Sequence, residues 1–175
     1  MRKPRKLVAG ARYHVVARAN RGEFILESDR IKDMFLSVVA QAKRRFVFSI
    51  DTLCIMDNHI HLLLWPGENE SLSRILQWIL SVFAVRFNRE FGLHGHVWYD
   101  RFKSMVIGTL RQFAQAYSYI TENPVTAGIV ARARDYRYGA TGVRRSGTLG
   151  ILGPPGLLVR LLFPEDTDGD RFVAI

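Results

Sequence analysis

Two histidines, His59 and His61, stand at the start of a strongly apolar segment. Because one residue separates them, both side chains would lie on the same face of a β-strand, where two imidazoles can share a metal ion. They could equally be ordinary polar residues satisfied by backbone or water. The apolar strand strengthens the ligand interpretation, because unpaired polar rings are costly there. Two histidines leave a metal under-coordinated, so such a site needs a further protein ligand and open positions for substrate.

Tyr119 and Asn123 form a second candidate pair, because a spacing of four places them on one face of a predicted helix. The apolar stripe of that helix consists of Leu110, Phe113, Tyr117 and Ile120. Tyr119 lies about 200° round the helix from Tyr117 and is therefore available to act on a substrate. Alternatively, Tyr119 packs its ring with a hydrated hydroxyl, and Asn123 caps the helix before Pro124.

The elements that must position these residues follow from hydrophobic periodicity and turn residues. We predict a strand over 13–19, a helix capped at Ser28-Asp29, a hairpin over 47–56 and 60–65, a helix from Ser71 to Gly92, a strand over 97–107 and a helix over 109–122. In the first helix, Lys32 falls outside the apolar stripe. The order β-α-ββ-α-β-α lacks regular βα repetition and therefore favours an α+β sandwich with an antiparallel sheet.

The charge of the chain favours a polyanionic partner. Lys and Arg number 25 against 16 Asp and Glu, which gives a net charge of +9. An anionic membrane surface, or no specific partner, remains an alternative. Basic residues are densest near the start of the chain, where Arg2 and Lys3 precede the candidate DNA-binding residues Arg5, Lys6, Arg12, Arg18 and Arg21. This region could also be a solvated tail.

A second candidate DNA-binding segment runs from Trp98 to Lys103, where aromatic and charged residues alternate as in proteins that bind single strands. Strand alternation would place Tyr99, Arg101 and Lys103 on the side that faces DNA. The same pattern is compatible with a strand that has one core face.

Cysteine content and composition bear on compartment and domain organisation. The single cysteine, Cys54, cannot form an internal disulfide, which favours a cytoplasmic protein. Neither a signal peptide nor a membrane span is expected. Past Arg145 the sequence becomes rich in Gly and Pro and then acidic. We therefore predict a domain at residues 1–145 and a C-terminal appendage at 146–175.

Five segments, taken in order, resemble the HUH superfamily of single-strand nucleases. They are residues 12–21, 56–64, 98–104, 119–128 and 136–138. A His-hydrophobe-His motif followed at this distance by Tyr-x-x-x-Asn-Pro-Val-x-Ala-Gly is similar to the single-tyrosine, IS200-like transposases, and especially to the REP-associated tyrosine transposases. The resemblance implies a ferredoxin-like sandwich with His59 and His61 on a central strand, Tyr119 as nucleophile and Asn123 as third metal ligand.

The resemblance also implies an activity. This is metal-dependent nicking and strand transfer on single-stranded or hairpin DNA through a 5′-phosphotyrosine intermediate, with the basic N-terminal region helping to recognise a tetranucleotide beside the hairpin. The ligand set suits Mg²⁺ or Mn²⁺, although zinc is chemically possible. The protein would act as a monomer or a homodimer.

Two other functions and two other histidines stay open at this point. The first alternative function is a histidine-metal nuclease in which water attacks, and the second is a non-catalytic single-strand binder on the same fold. His14 and His96 could each be a structural histidine, a phosphate contact or a neighbour of the metal.

Overall fold

The computed structural model describes residue 8, residues 10–147 and residues 150–164. Its strands and α-helices are β1 (Arg12–Arg18), α1 (Asp29–Arg45), β2 (Phe48–Ile55), β3 (His59–Pro66), α2 (Leu72–Phe91), β4 (Lys103–Ile107), α3 (Leu110–Thr126), α4 (Ala140–Ser146) and α5 (Leu157–Leu162). The predicted α+β class and element order up to α3 are confirmed. Across the described ranges, the helices are too short or too polar to cross a membrane.

The four strands form one antiparallel sheet in the order β2-β3-β1-β4. This is the strand order of a ferredoxin-like sandwich. Strand β3 lies between β2 and β1, so His59 and His61 are on a central strand, as predicted. The register of β1 against β3 places Val16 opposite His61 and His14 opposite Leu63.

Side-chain alternation gives the sheet two different faces. On one face, Tyr13, Val15 and Ala17 are buried and share the main core with the packed helices α1 and α2. The other face carries the histidines of β3 and is partly covered by α3, whose Thr121 hydroxyl lies 3.4 Å from that of Thr52 on β2. The site residues therefore lie on the face opposite α1 and α2.

Two predicted boundaries were wrong. The strand expected over 97–107 is formed only by β4: Trp98 makes an isolated bridge with Ala19, but the chain bends at residues 99–101. The Trp98 indole N–H donates to the Leu80 carbonyl on α2 at 3.0 Å. Helix α3 continues through Pro124 to Thr126 instead of ending at residue 122. Proline removes one backbone donor, but the following turn is still closed by the 3.0 Å bond from Ala127 N–H to the Asn123 carbonyl.

The position of Lys32 was also predicted wrongly, since it is 4% exposed. Its ammonium group reaches past the apolar stripe and donates to the Asp57 carboxylate at 2.7 Å and to the Glu27 carbonyl at 2.8 Å. A buried lysine is stable only with such partners. The contact ties α1 to the Asp57-Asn58 turn that leads into His59.

Residues after Arg145 contribute to the core. Helix α4 extends across the predicted boundary, Ile151 and Val159 are buried, and the Phe163 ring stacks on Tyr117 with centroids 4.4 Å apart. The division into residues 1–145 and 146–175 stays a prediction. Residues 150–164 nevertheless pack against the domain formed by the residues before Arg145. The acidic segment at 165–170 lies outside the described residues.

Candidate active site

A cavity of about 430 Å³ opens on the sheet face that carries the histidines. It brings together residues from β1, β3, β4, α3 and the connection before β4. They are His14, Val16, Arg18, His59, His61, Tyr99, Asp100, Arg101, Lys103 and Tyr119. The cavity therefore collects the histidine pair, the tyrosine and part of the basic and aromatic set that were singled out separately in the sequence.

The two β3 histidines have similar hydrogen-bond arrangements. Their ring centroids are 4.9 Å apart, and the rings are nearly perpendicular. His59 Nδ1 lies 2.6 Å from Asn58 Oδ1, and His61 Nδ1 lies 2.9 Å from His14 Nε2. With both Nδ1 atoms engaged, the Nε2 atoms of His59 and His61 are the candidate metal-binding atoms.

Burial holds these imidazoles in the neutral form. The pKa of His61 is lowered to about 3 by burial, with smaller contributions from His59, His14 and Arg18. Burial and the charge of Arg18 also lower the pKa of His59, while a hydrogen bond with Asn123 and the charge of Asp57 act in the opposite direction. Neutral imidazole is the form that binds metals, so both rings are available as ligands at neutral pH.

An unpaired nitrogen supports the fit of a divalent ion to this site. His61 Nε2 is buried and has no hydrogen-bond partner among the described residues. Leaving such an atom unpaired costs about 1–3 kcal/mol, which metal coordination would offset. Among all the residues that the structure describes, no three His, Cys, Asp or Glu side chains form a group that could hold a metal ion. Asn123 on α3, whose side chain interacts with His59, is the third protein ligand expected from the sequence.

Tyr119 faces this histidine pair from α3. Its side chain is 56% exposed, whereas Tyr117 on the same helix is 1% exposed, so helical periodicity distinguished the two correctly. The Tyr119 ring centroid lies 5.5 Å from that of His61 and 5.8 Å from that of His14. Its hydroxyl is therefore accessible to a substrate that enters the cavity.

The predicted DNA-facing residues Tyr99, Arg101 and Lys103 all line the cavity. They were predicted from alternation along a strand, and this reason was partly wrong, because residues 99–101 do not form a strand. Asp100, which was not among the predicted DNA-facing residues, lines the cavity as well. Near the histidines, Arg18 and Lys103 provide positive charge that suits a phosphate group.

Two other predicted DNA-binding residues, Arg12 and Arg21, do not line this cavity. Arg12 is at the far end of β1, where it pairs with Asp51 at 2.9 Å and lies over the Trp65 ring at 4.3 Å. Arg21 is exposed in the turn after β1 and does not line the cavity. Arg5 and Lys6 are outside the described residues.

The two histidines left open in the sequence occupy different places. His96 lines a separate cavity between α2 and the connection before β4. His14 lines the candidate active site and touches His61. Alternation along β1 could have placed His14 on the same face as Arg18, but its contact with His61 depends on strand pairing.

Comparison with known proteins gives a consistent result. The family profile described as "Transposase IS200 like" matches residues 7–123. A Haemophilus influenzae protein named as a REP-associated tyrosine transposase is 27% identical over 114 residues, which cover 59% of this chain. The matched region spans 65% of the length of that curated relative.

Two solved structures share the fold. A REP-associated tyrosine transposase bound to a REP hairpin has a TM-score of 0.69 and 21% identity, with 89% of this chain and 94% of that chain covered. A Deinococcus radiodurans protein named as a transposase has a TM-score of 0.50 and 20% identity, with coverages of 70% and 97%.

Proposed function

Since this chain belongs to the IS200-like transposase family, we propose that it nicks and rejoins single-stranded DNA at hairpins, with Tyr119 as the nucleophile. The observation that carries the proposal is the meeting of Tyr119, the two β3 histidines and several cationic side chains in one open cavity. The hairpin DNA in the similar solved structure supports the choice of substrate.

The reaction exchanges one phosphodiester for another. The Tyr119 hydroxyl loses its proton, and its oxygen forms a bond to the scissile phosphorus. The bond from phosphorus to the 3′ oxygen breaks, and that oxygen takes up a proton. The products are a 5′-phosphotyrosine and a free 3′-hydroxyl. Attack by a second 3′-hydroxyl on the phosphotyrosine reverses these steps, joins the strands and restores Tyr119, so no nucleotide cofactor is consumed.

Residues around Tyr119 each have a part in this reaction. Arg18 and Lys103 offset the charge of the phosphate, which would otherwise repel an ionising tyrosine. The exposed ring of Tyr99 offers a surface on which a neighbouring base can stack. A divalent ion, Mg²⁺ or Mn²⁺, held by His59, His61 and Asn123, would supply Lewis-acid stabilisation of the phosphate charge.

The test is a denaturing gel of the protein with labelled hairpin oligonucleotides and Mn²⁺. The expected result is a covalent protein–DNA adduct that Tyr119→Phe abolishes. Tyr117→Phe is the matched control, because it removes the same atom from the same helix at a buried position outside the cavity. Cleavage by Tyr119→Phe at the parent rate would instead identify water as the nucleophile. Binding without any cleavage would indicate a non-catalytic single-strand binder.

A further inference from the structure

His14 and His61 meet across two neighbouring strands. His14 on β1 pairs with Leu63, and His61 on β3 pairs with Val16, so the two imidazoles are diagonal neighbours on one face of the sheet. Their centroids are 5.2 Å apart, and His14 Nε2 lies 2.9 Å from His61 Nδ1. At this distance one nitrogen must carry a hydrogen and the other a lone pair.

The two tautomer arrangements have different consequences at the buried Nε2 of His61. If His14 donates, the hydrogen of His61 is on Nε2, where an N–H group would be buried without a partner among the described residues. If His61 donates from Nδ1, Nε2 keeps a lone pair that a cation can use. The second arrangement avoids a buried, unpaired donor and prepares a metal ligand.

His59 provides an internal comparison. Its Nδ1 lies 2.6 Å from the side-chain oxygen of Asn58, and an amide oxygen can only accept. His59 therefore donates from Nδ1 and carries a lone pair on Nε2. The contact between His14 and His61 would impose the same Nδ1–H tautomer on His61, with His14 Nε2 as the acceptor.

We propose that His14 is a positioning residue: its Nε2 accepts a hydrogen bond from Nδ1–H of His61 and keeps the Nε2 lone pair of His61 available for a divalent ion. This inference rests on the proposed function, because it assigns His14 a role toward the metal ligand His61. It does not make His14 a ligand, since the nitrogen that faces His61 is already engaged.

Two substitutions of His14 separate the hydrogen bond from ring packing. His14→Phe keeps a ring but has no acceptor, whereas His14→Gln places an amide oxygen near the position of Nε2. The exposed His94, which does not line either cavity described above, supplies the matched control His94→Phe. Circular dichroism checks that each variant is folded.

The first measurement is the tautomer of His61 in the metal-free protein, from ¹⁵N–¹H correlation spectra of its imidazole. The parent, His14→Gln and His94→Phe should show the Nδ1–H form, and His14→Phe should lose this preference. An Nε2–H tautomer in the parent overturns the proposal. This readout needs no metal and no activity, and it remains decisive even if His14→Phe does not fold.

The second measurement is the Mn²⁺ dissociation constant by titration calorimetry. His14→Phe should raise it about 10–100-fold, the usual effect of removing a hydrogen-bond partner of a ligating histidine. His14→Gln and His94→Phe should stay close to the parent. Unchanged affinity in folded His14→Phe overturns the positioning role alone. A parent protein that binds no Mn²⁺ overturns the proposed metal site as well, whichever tautomer His61 has.

Discussion

Removing Asp57 should destabilise the protein far more when Lys32 is present than when it is absent. The Lys32 side chain is 5% exposed and that of Asp57 is 37% exposed, with 2.7 Å between ammonium and carboxylate. Asp57→Ala leaves a buried ammonium whose remaining acceptor is the Glu27 carbonyl at 2.8 Å. The reverse change, Lys32→Met, leaves a carboxylate that water can reach.

These exposures set the expected magnitudes. An uncompensated buried charge costs about 3–5 kcal/mol, and the partial exposure of Asp57 together with the Glu27 carbonyl reduces this to about 2–3 kcal/mol for Asp57→Ala. Lys32→Met should cost about 1 kcal/mol or less, because methionine keeps the apolar stem. In the Lys32→Met background, Asp57→Ala should then cost under about 0.5 kcal/mol. The coupling energy is therefore about 2 kcal/mol.

Urea unfolding of the four proteins in this double-mutant cycle gives the free energies directly. Asp33→Ala is the matched control, because its carboxylate pairs with Arg137 at 3.1 Å in an exposed position and should contribute under about 1 kcal/mol. Equal costs of Asp57→Ala in both backgrounds, or a cost no larger than that of Asp33→Ala, would refute the assignment of Lys32 as a buried charge.

Other perturbations separate structural residues from residues that we propose contact DNA. Burial raises the pKa of the Cys54 thiol from 9.0 to about 12, so the neutral thiol contributes full stability below pH 9 and loses it as pH rises through 12. Mass spectrometry should find Cys54 unmodified by iodoacetamide at pH 8 in buffer and alkylated in urea, and rapid labelling in buffer would contradict its burial. Arg18→Ala should reduce the slope of log affinity against log salt for a single strand by about 0.7, whereas Arg12→Ala should lower Tm without changing that slope. Fluorescence anisotropy at several salt concentrations measures both slopes. Equal slopes for the two variants would contradict the assignment of Arg18 to DNA binding and of Arg12 to stability. Ile151→Ala should lower the free energy of unfolding by about 2–4 kcal/mol in urea, and a change below about 0.5 kcal/mol would exclude residues 150–164 from the cooperative core.

Sequence patterns predicted those elements whose burial is one-sided. Helix α2 begins after Ser71, whose hydroxyl accepts from the N–H of Arg74, and ends at Gly92 in the left-handed conformation. Both ends are local signals, and the apolar stripe between them reports a single buried face. The β2–β3 hairpin was predictable on a different basis, from two apolar runs separated by the turn pair Asp57-Asn58, and its strands are largely buried on both faces.

Predictions failed where a tertiary contact outweighed the local pattern. The alternation from Trp98 to Lys103 resembles a strand, but the chain bends at residues 99–101 after the bridge from Trp98 to Ala19, and the Trp98 indole donates to the Leu80 carbonyl on α2. Lys32 was placed outside the apolar stripe of its helix, whereas its long stem lets the ammonium reach Asp57 in a buried position. Neither partner is close in sequence, so no local pattern could reveal them.

The candidate site shows the same division between local and long-range information. Tyr119 could be distinguished from Tyr117 within one helix, because helical geometry fixes their relative directions. The placement of His14 beside His61 needs the pairing of β1 with β3, and a slip of one residue would move Ile60 to the position of His61 on that face. The buried residue Leu62 opposes such a slip, because the slip would move it from the core face to the cavity side. The burial of Ile60 and Leu62 on the core face therefore helps to hold the proposed metal ligand His61 against its hydrogen-bond partner His14.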